Sequence, residues 1–395
     1  MKTKTIYQNC NLFDGETNQL KQNAWLEVDD ETGKITALGT GKAPQADNWV
    51  DLQEKYVMPG LINCHTHMVM DPTDSRGVTD FNVIETTVNA VDNLHTMLKS
   101  GVTYVRECGS TFDIDLTIAR MIAEGKITKV PEVLPSGRPY SMSGGHGDIP
   151  NFGYIVDSPD EMRKSVRQGL ARGVKAVKVM ATGGIMTEKD SMDDPQLSVD
   201  EIRVAVQEAH HKGLIVAAHA EGIAGIMNAL EAGVDSIEHG YYVNDAAIDL
   251  MLKNGTYLTP TIIAAWAFPE YAQDIAPAWE MNKAKTALAD LQVNIAHAHE
   301  RGVKISLGTD AGTTFNGFDK TPVELQLLVD TGFSNFEALQ TSVNAAKLMK
   351  ISDEYGTLAT GKYADFLVLD KNPLTDIKAV AQTNKAVYKK GKREY

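Results

Sequence analysis

The chain has 395 residues, of which 43% are hydrophobic and 23% are charged, and its formal net charge is −14. This composition is typical of a soluble globular protein, and the length fits a barrel with an added module better than one small core. The acidic balance argues against a nucleic-acid backbone as a partner.

The cysteines and the apolar runs indicate the compartment. Cys10, Cys64 and Cys108 are few and follow no disulfide pattern, so we expect reduced thiols and a cytoplasmic protein. The first residues contain no apolar signal-peptide core, and no apolar run reaches the roughly 18 residues of a membrane span. We therefore expect neither a membrane nor a nucleic acid as a partner.

The two ends of the chain share one character. Residues 1–57 read as short strands separated by turns such as Asp14-Gly15 and Thr32-Gly33, and residues 356–395 read the same way. Each end is too small to fold well by itself. We expect residues 1–57 and 356–395 to pair into one small β-sandwich domain.

Residues 58–355 repeat one unit, in which a helical stretch ends, a glycine follows and a β-branched apolar run begins. The glycines at this position are Gly101, Gly173, Gly213, Gly233, Gly255 and Gly302. Glycine just past a helix closes it in the left-handed conformation, and an apolar run without alternation is typical of a strand buried on both faces. With "YVMPGLINCH" and "PEVLPSG" added, eight β/α units predict a (β/α)₈ TIM barrel of the α/β class.

Polar side chains occur where these strands end, and the chemistry of TIM barrels lies at the C-terminal strand ends. They are His65 and His67 on the first strand, Lys178 on the fourth, His219 on the fifth, His239 on the sixth and Asp310 on the eighth. Alone, His219 or His239 could be a core histidine, and Asp310 could be a helix N-cap. Together they predict a metal site.

The spacing of His65 and His67 favours one shared ligand. Side chains two residues apart on a strand point the same way, here into the barrel mouth. His297 and His299 have the same spacing on a predicted helix, where such side chains diverge by about 200°. We interpret these two as surface or packing residues. The same interpretation applies to three further helical histidines, His95, His210 and His211.

Lys178 needs a chemical explanation, because an ammonium group would be repelled by divalent cations. A neutral amine can add carbon dioxide to form an anionic carbamate, whose two oxygens can bridge two metals. Lys175 lies three residues earlier, on the opposite strand face and further from the C-terminal end. The pattern therefore favours Lys178, with a lysine–carboxylate ion pair as the alternative.

Several segments resemble the amidohydrolase superfamily of the binuclear type. They are "PGLINCHTH", "KVMATGG", "AAHAEG", "SIEHGYY", "LGTDAG" and the closing "GTLATGKYADFLVLDKNPL". "KVMATGG" together with "SGGHGD" is most similar to the imidazolonepropionase-related branch, which includes Xaa-Pro dipeptidases (prolidases) and carboxypeptidases acting on dipeptides and N-acyl amino acids. The resemblance covers nearly the whole chain.

The resemblance implies two divalent ions, expected to be Zn²⁺, with manganese and iron as alternatives. The implied ligands are His65, His67 and Asp310 for one ion, His219 and His239 for the other, and N6-carboxylated Lys178 as a bridge. A metal-bridging hydroxide would attack an amide carbonyl, with Asp310 as general base and then acid. The expected function is metal-dependent hydrolysis of a carbon–nitrogen bond in a dipeptide (Xaa-Pro or similar) or an N-acyl amino acid.

Substrate contacts are expected from the loops after the strands. His146, in "SMSGGHGD", resembles an active-site histidine that orients the substrate carbonyl, and its alternative is a loop histidine bonded to backbone. Tyr241 is expected either to donate its hydroxyl to substrate or to pack. Arg106 is expected either to clamp a substrate carboxylate or to lie buried among barrel carboxylates such as Glu107.

The remaining candidates shape the substrate pocket. Gly183 and Gly184 are expected to form its floor. Glu221 stands where many relatives of the dipeptidase branch have a second histidine and imidazolonepropionases have glutamate, and we expect it to contact substrate. Residues 262–279 are long and aromatic, as in a lid or a subunit contact, although an ordinary exposed helix fits too.

Three alternatives remain beside the dipeptidase-like hydrolase. Glu221 favours an imidazolonepropionase-like cyclic amide hydrolase, whereas Lys178 counts against it, because that enzyme is expected to use one metal and no carboxylated lysine. A lactonase or phosphotriesterase-like hydrolase is chemically close, and a non-catalytic oligomeric scaffold would be free to lose the ligands. By analogy with relatives, we expect a homo-oligomer acting on a small-molecule substrate.

Overall fold

A computed structural model describes residues 3–73, 82–185, 188, 190–272 and 275–395. The strands are β1 (Lys4–Leu12), β2 (Lys21–Asp29), β3 (Lys34–Thr40), β4 (Asn48–Asp51), β5 (Tyr56–Pro59), β6 (Leu61–Thr66), β7 (Val102–Glu107), β8 (Glu132–Leu134), β9 (Tyr140–Ser141), β10 (Tyr154–Ile155), β11 (Ala176–Met180), β12 (Ile215–Ala220), β13 (Ser236–His239), β14 (Tyr257–Thr259), β15 (Phe366–Leu369), β16 (Ala386–Lys389) and β17 (Lys392–Arg393). The helices are α1 (Val83–Ser100), α2 (Ile114–Ala123), α3 (Pro159–Arg172), α4 (Val199–His210), α5 (Ile223–Ala232), α6 (Asp245–Asn254), α7 (Ile262–Tyr271), α8 (Ala278–Glu300), α9 (Thr321–Asp330) and α10 (Asn335–Leu348).

The barrel is built from parallel strands in two runs. One run pairs β6, β7 and β8, and the other pairs β11, β12, β13 and β14. The backbone N–H of Lys175 donates to the carbonyl of Pro135 at 2.7 Å, which joins the first run to the second. The strands are buried on both faces, as the unalternating apolar runs predict, because helices cover the outer face and side chains fill the barrel interior.

The eighth barrel segment, residues 304–311, closes the barrel through backbone hydrogen bonds. Ser306 N–H donates to Leu258 of β14 at 2.9 Å, and Cys64 N–H of β6 donates to Leu307 at 2.8 Å. Near the mouth, Asp310 N–H donates to the carbonyl of His65 at 2.9 Å. Seven strands and residues 304–311 therefore surround one core, and the predicted TIM barrel is confirmed.

A separate mixed β-sheet, with both antiparallel and parallel strand pairs, contains strands from both ends of the chain. Its order is β17-β16-β15-β5-β1-β2-β3, with β4 paired to β1. The pair that joins the two ends of the chain consists of β5, which leads directly into the barrel, and β15 from the C-terminal segment. A small apolar core that includes Leu12, Val57 and Phe366 lies within this β-domain. The predicted fold class, a barrel with a small β-domain from both termini, is confirmed.

The helix ends follow the glycines of the repeated unit. Gly101 and Gly173 cap α1 and α3 in the left-handed conformation, with φ of 106° and 103°. At the opposite end of α4, Ser198 and Glu201 form a capping box, which fixes where that helix begins. Among the described residues, no helix combines the length and the apolar character needed to cross a membrane.

Candidate metal centre

The structure brings the predicted ligands together at the C-terminal end of the barrel. Nε2 of His65 and Nε2 of His67 each lie 3.1 Å from Oδ1 of Asp310. The rings of His65 and His239 are 5.0 Å apart, and those of His219 and His239 are 4.6 Å apart, between centroids. One cluster of buried imidazole and carboxylate groups therefore spans four barrel strands.

The hydrogen bonds of His65 and His67 show which ring nitrogens are free to bind a cation. Nδ1 of His65 lies 2.8 Å from the carboxylate of Glu238, and Nδ1 of His67 lies 3.0 Å from the carbonyl oxygen of Gly109. A neutral imidazole has one N–H, so donation at Nδ1 leaves a lone pair on Nε2. Both lone pairs then face the same oxygen of Asp310, an arrangement that a bound cation stabilises.

The other two histidines are anchored in the same manner. Nε2 of His219 lies 3.0 Å from the carbonyl oxygen of Gly183, which leaves Nδ1 as its free nitrogen. Nδ1 of His239 lies 2.7 Å from the hydroxyl of Thr261. Ligating histidines almost always use their second nitrogen in this way, because the bond fixes the ring and its tautomer. The donor set, imidazole nitrogens with a carboxylate oxygen, suits zinc and similar divalent ions.

Lys178 belongs to the cluster, and Lys175 does not. The Lys178 side chain is 1% exposed, and its Nζ lies 3.3 Å from Nε2 of His65. Lys175 is exposed and lines a separate surface cavity beside Arg172. Lys178 therefore lies inside the barrel beside His65, whereas Lys175 lies at the surface.

Burial sets the charge state of the histidines. Desolvation lowers the pKa of His67, and it holds the pKa of His219 and of His239 well below the ordinary value. Burial alone would raise the pKa of Asp310, but His65 and His67 hold it well below its usual range. The low pKa values favour neutral His67, His219 and His239 and an ionised Asp310, the forms in which these groups bind metals.

The backbone is strained at two of these residues. His239 has φ of 71° and Asp310 has φ of 60°, in the left-handed region that non-glycine residues rarely occupy. Such strain persists where the surroundings fix it, often at functional sites. Asp310 does not cap a helix, since α9 begins eleven residues later at Thr321.

His146 reaches the cluster from the loop after β9. Its ring stacks on the ring of His219 at 4.3 Å between centroids, and its Nδ1 lies 3.8 Å from Asp190. A Cβ atom at Gly184 would lie 2.7 Å from this ring, so the close approach of the loop requires glycine there. Gly183 supplies the carbonyl that holds His219, so both glycines contribute to the site.

Arg106 does not line the cavity of about 440 Å³ at the barrel mouth. It is fully buried inside the barrel, where its guanidinium group is 2.7 Å from the carboxylate of Glu238 and 3.2 Å from the hydroxyl of Ser236. The substrate-clamp hypothesis is therefore not supported, and Arg106 is a buried residue whose partner is Glu238 rather than Glu107. Burial would raise the pKa of Glu238, but Arg106 and His65 hold it well below its usual range.

The contacts of Glu238 lead to a prediction about metal binding. Replacing Glu238 by glutamine is expected to weaken metal affinity by about 10–100-fold, because a neutral acceptor makes His65 a less basic ligand. Competition with a chelator of known affinity measures this change. Asp115→Asn is the matched control, because Asp115 is equally buried but bonds the backbone of Gly137 and Leu116. Equal affinities in the wild type and Glu238→Gln would contradict the prediction.

A cavity of about 440 Å³ opens above the cluster. Its polar floor contains Lys178, His219, Glu221 and Asp310, with Tyr241 beside His239. Its apolar lining includes Phe152, Met180, Phe268 of α7 and Trp279 of α8. A cavity of this size, apolar with convergent polar groups, is typical of a small-molecule site.

Residues 262–279 contribute a wall of this cavity. α7 is largely buried, which excludes an ordinary exposed helix for that part, while residues 273–274 lie outside the described residues. Lys283 of α8 donates to the backbone carbonyls of Gly184 and Asp190, so α8 is tied to the loop after β11. His297 and His299 lie away from the site, the first bonded to Asp245 and the second stacked on Phe333.

Sequence reasoning missed several residues that support the site. Glu238 holds His65, Thr261 holds His239, and Asp190 lies between His146 and Lys283. Only Glu238 gave a signal, since a charged residue in a strand buried on both faces requires a partner. Thr261 and Asp190 are polar residues in loops, where sequence alone does not distinguish them from their neighbours.

Imidazole and carboxylate groups that could hold a metal, gathered at the mouth of a parallel barrel, are typical of a metal-dependent enzyme of the TIM-barrel class. The chain belongs to the amidohydrolase family, which it matches over residues 56–393. As a member of that family, it is a hydrolase that acts on carbon–nitrogen bonds, and the non-catalytic scaffold is set aside.

Three known proteins illustrate the similarity. The ochratoxinase of Aspergillus niger is 32% identical over 363 residues, which cover 84% of this chain and 73% of that protein. A solved Xaa-Pro dipeptidase with methionine bound in its active site is 29% identical, with a TM-score of 0.91 over 99% of both chains. The imidazolonepropionase of Fusobacterium nucleatum is 24% identical over 392 residues, 89% of this chain and 86% of that protein.

Proposed function

We propose that this protein hydrolyses the amide bond of a dipeptide (Xaa-Pro or similar) or of an N-acyl amino acid. It would use two divalent ions, which we expect to be Zn²⁺. The observation that carries the proposal is the convergence of Nε2 of His65 and His67 on Oδ1 of Asp310. The similar Xaa-Pro dipeptidase, with its bound methionine, supports a substrate built from amino acids.

The proposed ligands follow the two halves of the cluster. His65, His67 and Asp310 would hold one ion, and His219 and His239 the other. Lys178, as its N6-carboxylated form, would bridge them, because it is buried beside His65 and a carbamate offers two oxygens. Bound divalent ions would supply Lewis acidity, which polarises the amide carbonyl and makes a water molecule more acidic.

The side chains of this protein would then move the protons. Asp310 would accept a proton from the attacking water and return it to the leaving nitrogen, as general base and then acid. His146, which stacks on His219 at the cavity, would donate a hydrogen bond to the substrate carbonyl oxygen. The carbonyl carbon gains the water oxygen, the carbon–nitrogen bond breaks, and a carboxylic acid and an amine leave.

A cyclic amide is the second candidate substrate. It is favoured by Glu221, which lines the cavity two residues after His219, and by the similarity to imidazolonepropionase. The buried Lys178 beside His65 favours the acyclic amide. A bridging ligand is needed only between two ions, and the cyclic amide hydrolase is expected to use one. Homo-oligomeric assembly and a cytoplasmic location stay predictions from the sequence.

A substrate panel tests the proposal. Zinc-loaded protein is incubated with dipeptides, N-acyl amino acids, lactones and imidazolonepropionate, and product amines and acids are quantified. We expect turnover of dipeptides or N-acyl amino acids, loss of that turnover with a chelator, and its return when Zn²⁺ is added back. Turnover of imidazolonepropionate or lactones without any acyclic amide would overturn the proposal.

A further inference from the structure

Glu221 is a buried carboxylate next to the hydrolytic cluster. It follows the end of β12, is 3% exposed and lines the cavity floor. Its carboxylate lies within 4.8 Å of a ring nitrogen of both His219 and His239. Glu221 therefore stands within 4.8 Å of the histidines beside which the scissile carbonyl would be held.

This carboxylate is incompletely paired. The backbone N–H of Ile185 donates to it, whereas Oε2 is buried without a hydrogen-bond partner in the described part of the chain. His219 does not compensate, since its Nε2 is 3.8 Å away and already bonded to Gly183. A buried carboxylate in this state is costly unless a cation or an N–H donor pairs with it.

We propose that Glu221 binds the α-ammonium group of the substrate, so that this protein acts on unblocked dipeptides in preference to N-acyl amino acids. The inference rests on the amide hydrolysis proposed above and names the substrate class of that same site. An ammonium–carboxylate bond is charge-assisted, and it becomes stronger where water is excluded.

The dimensions of a dipeptide agree with this placement. The α-nitrogen is two bonds from the carbonyl carbon, so a carbonyl held near His219 and His239 brings the nitrogen toward Glu221. The terminal torsion of glutamate is broad, and either oxygen can turn to the cavity. Met180, Phe268 and Trp279 supply apolar surface for the substrate side chains, and Glu221 supplies a buried carboxylate for the α-ammonium end.

The reaction itself is unchanged by this assignment. Water adds to the carbonyl carbon, the peptide carbon–nitrogen bond breaks, and the proton taken by Asp310 leaves with the new amine. The ammonium group bound to Glu221 keeps its protons throughout. Glu221 is therefore a specificity-determining residue, and its removal is expected to change the choice of substrate more than the chemical step.

A matched pair of substrates isolates the ammonium group. Leucyl-phenylalanine and isocaproyl-phenylalanine differ only in the amino group, and kcat/KM is measured for both with zinc-loaded protein. We expect the wild type to favour the dipeptide by about 100-fold or more, because a site built for a polar group strongly rejects an analogue that lacks it. In Glu221→Gln the preference is expected to fall to about tenfold or less. The kcat/KM of the dipeptide falls, and that of isocaproyl-phenylalanine does not change.

Two controls separate the outcomes. Glu188→Gln removes an exposed carboxylate from the same cavity and is expected to keep the wild-type preference. Metal content is measured for each variant, since a Glu221→Gln protein that loses an ion would make Glu221 a metal ligand and overturn the assignment. A preference unchanged in Glu221→Gln, or similar rates on both compounds in the wild type, also overturns it while the hydrolase proposal stands. Wild-type protein that cleaves neither compound nor any other acyclic amide refutes both.

Discussion

Asp310→Asn is expected to lower kcat by about 10²–10⁴-fold, the usual contribution of a general acid–base group, while the protein still binds metal. The substitution keeps an oxygen where Oδ1 faces Nε2 of His65 and His67, and asparagine cannot accept and return a proton. Steady-state rates on the best substrate of the panel, together with elemental analysis of the same sample, measure both properties.

The control for Asp310→Asn is Asp365→Asn, which neutralises a buried carboxylate in the β-domain, far along the chain from the barrel mouth. Its kcat per folded molecule is expected to match the wild type. Near-normal turnover of Asp310→Asn with its metals bound would show that another group moves the proton. A variant without metal would place the role of Asp310 in ligation rather than proton transfer.

The barrel could be predicted from the sequence because its signals are local. Glycine after a helix and an unalternating apolar run each follow from backbone geometry, and eight repeats leave few architectures. The apolar run after Gly302 is predicted as the eighth strand on the same grounds, and isolated bridges pair Ile305 with Leu258 and Ala311 with Thr66. Closure of the barrel requires a segment between β14 and β6 even where its backbone forms few regular strand pairs.

The positions of the histidines could also be predicted, because each lies at a strand end. His65 and His67 share a face by the two-residue period of a strand, and Lys178 is nearer the mouth than Lys175. Neither argument depends on how the barrel closes. The left-handed backbone at His239 and Asp310 could not be foreseen, since non-glycine residues rarely adopt a positive φ.

The partners of buried charges were harder to predict. Arg106 and Glu238 are both charged residues in buried strands, so each needed a partner, but only the order of strands around the barrel shows that they meet. Glu107 is nearer to Arg106 in sequence, but its carboxylate accepts hydrogen bonds from the hydroxyl of Thr66 and the backbone N–H of Met68 instead. Adjacent residues on a strand face opposite ways, which separates Arg106 from Glu107.

The sequence marks residues 262–279 as an aromatic segment, but it does not show that Phe268 and Trp279 line the cavity. They come from α7 and α8, far along the chain from the Gly183–Gly184 loop, and Lys283 ties these parts together. Contacts between loops depend on the lengths and angles of the helices that carry them. Side-chain preference of the substrate pocket therefore had no signal in the sequence.

Lys178→Ala is expected to reduce bound divalent metal from about two ions per chain to at most one, with loss of amide hydrolysis. A carbamate on Lys178 would supply the ligand shared by both halves of the cluster, and alanine offers no atom in its place. Protein is purified with bicarbonate, and metal is measured by elemental analysis beside the wild type. Lys175→Ala is the matched control, because this lysine lies on the same strand segment but is exposed at the other end.

The two lysine variants distinguish a bridge from a structural ion pair. If Lys178 bridges two ions, mass spectrometry under mild conditions is expected to detect carbon dioxide added to the wild type and to Lys175→Ala, and not to Lys178→Ala. Metal content and carbamate should then fall together, since each stabilises the other. A wild type with one ion, unchanged in Lys178→Ala, would instead assign Lys178 to the hydrogen bond with His65. In that case the lone pairs of His65 and His67 with Asp310 would define a mononuclear site, and the cyclic amide would become the favoured substrate.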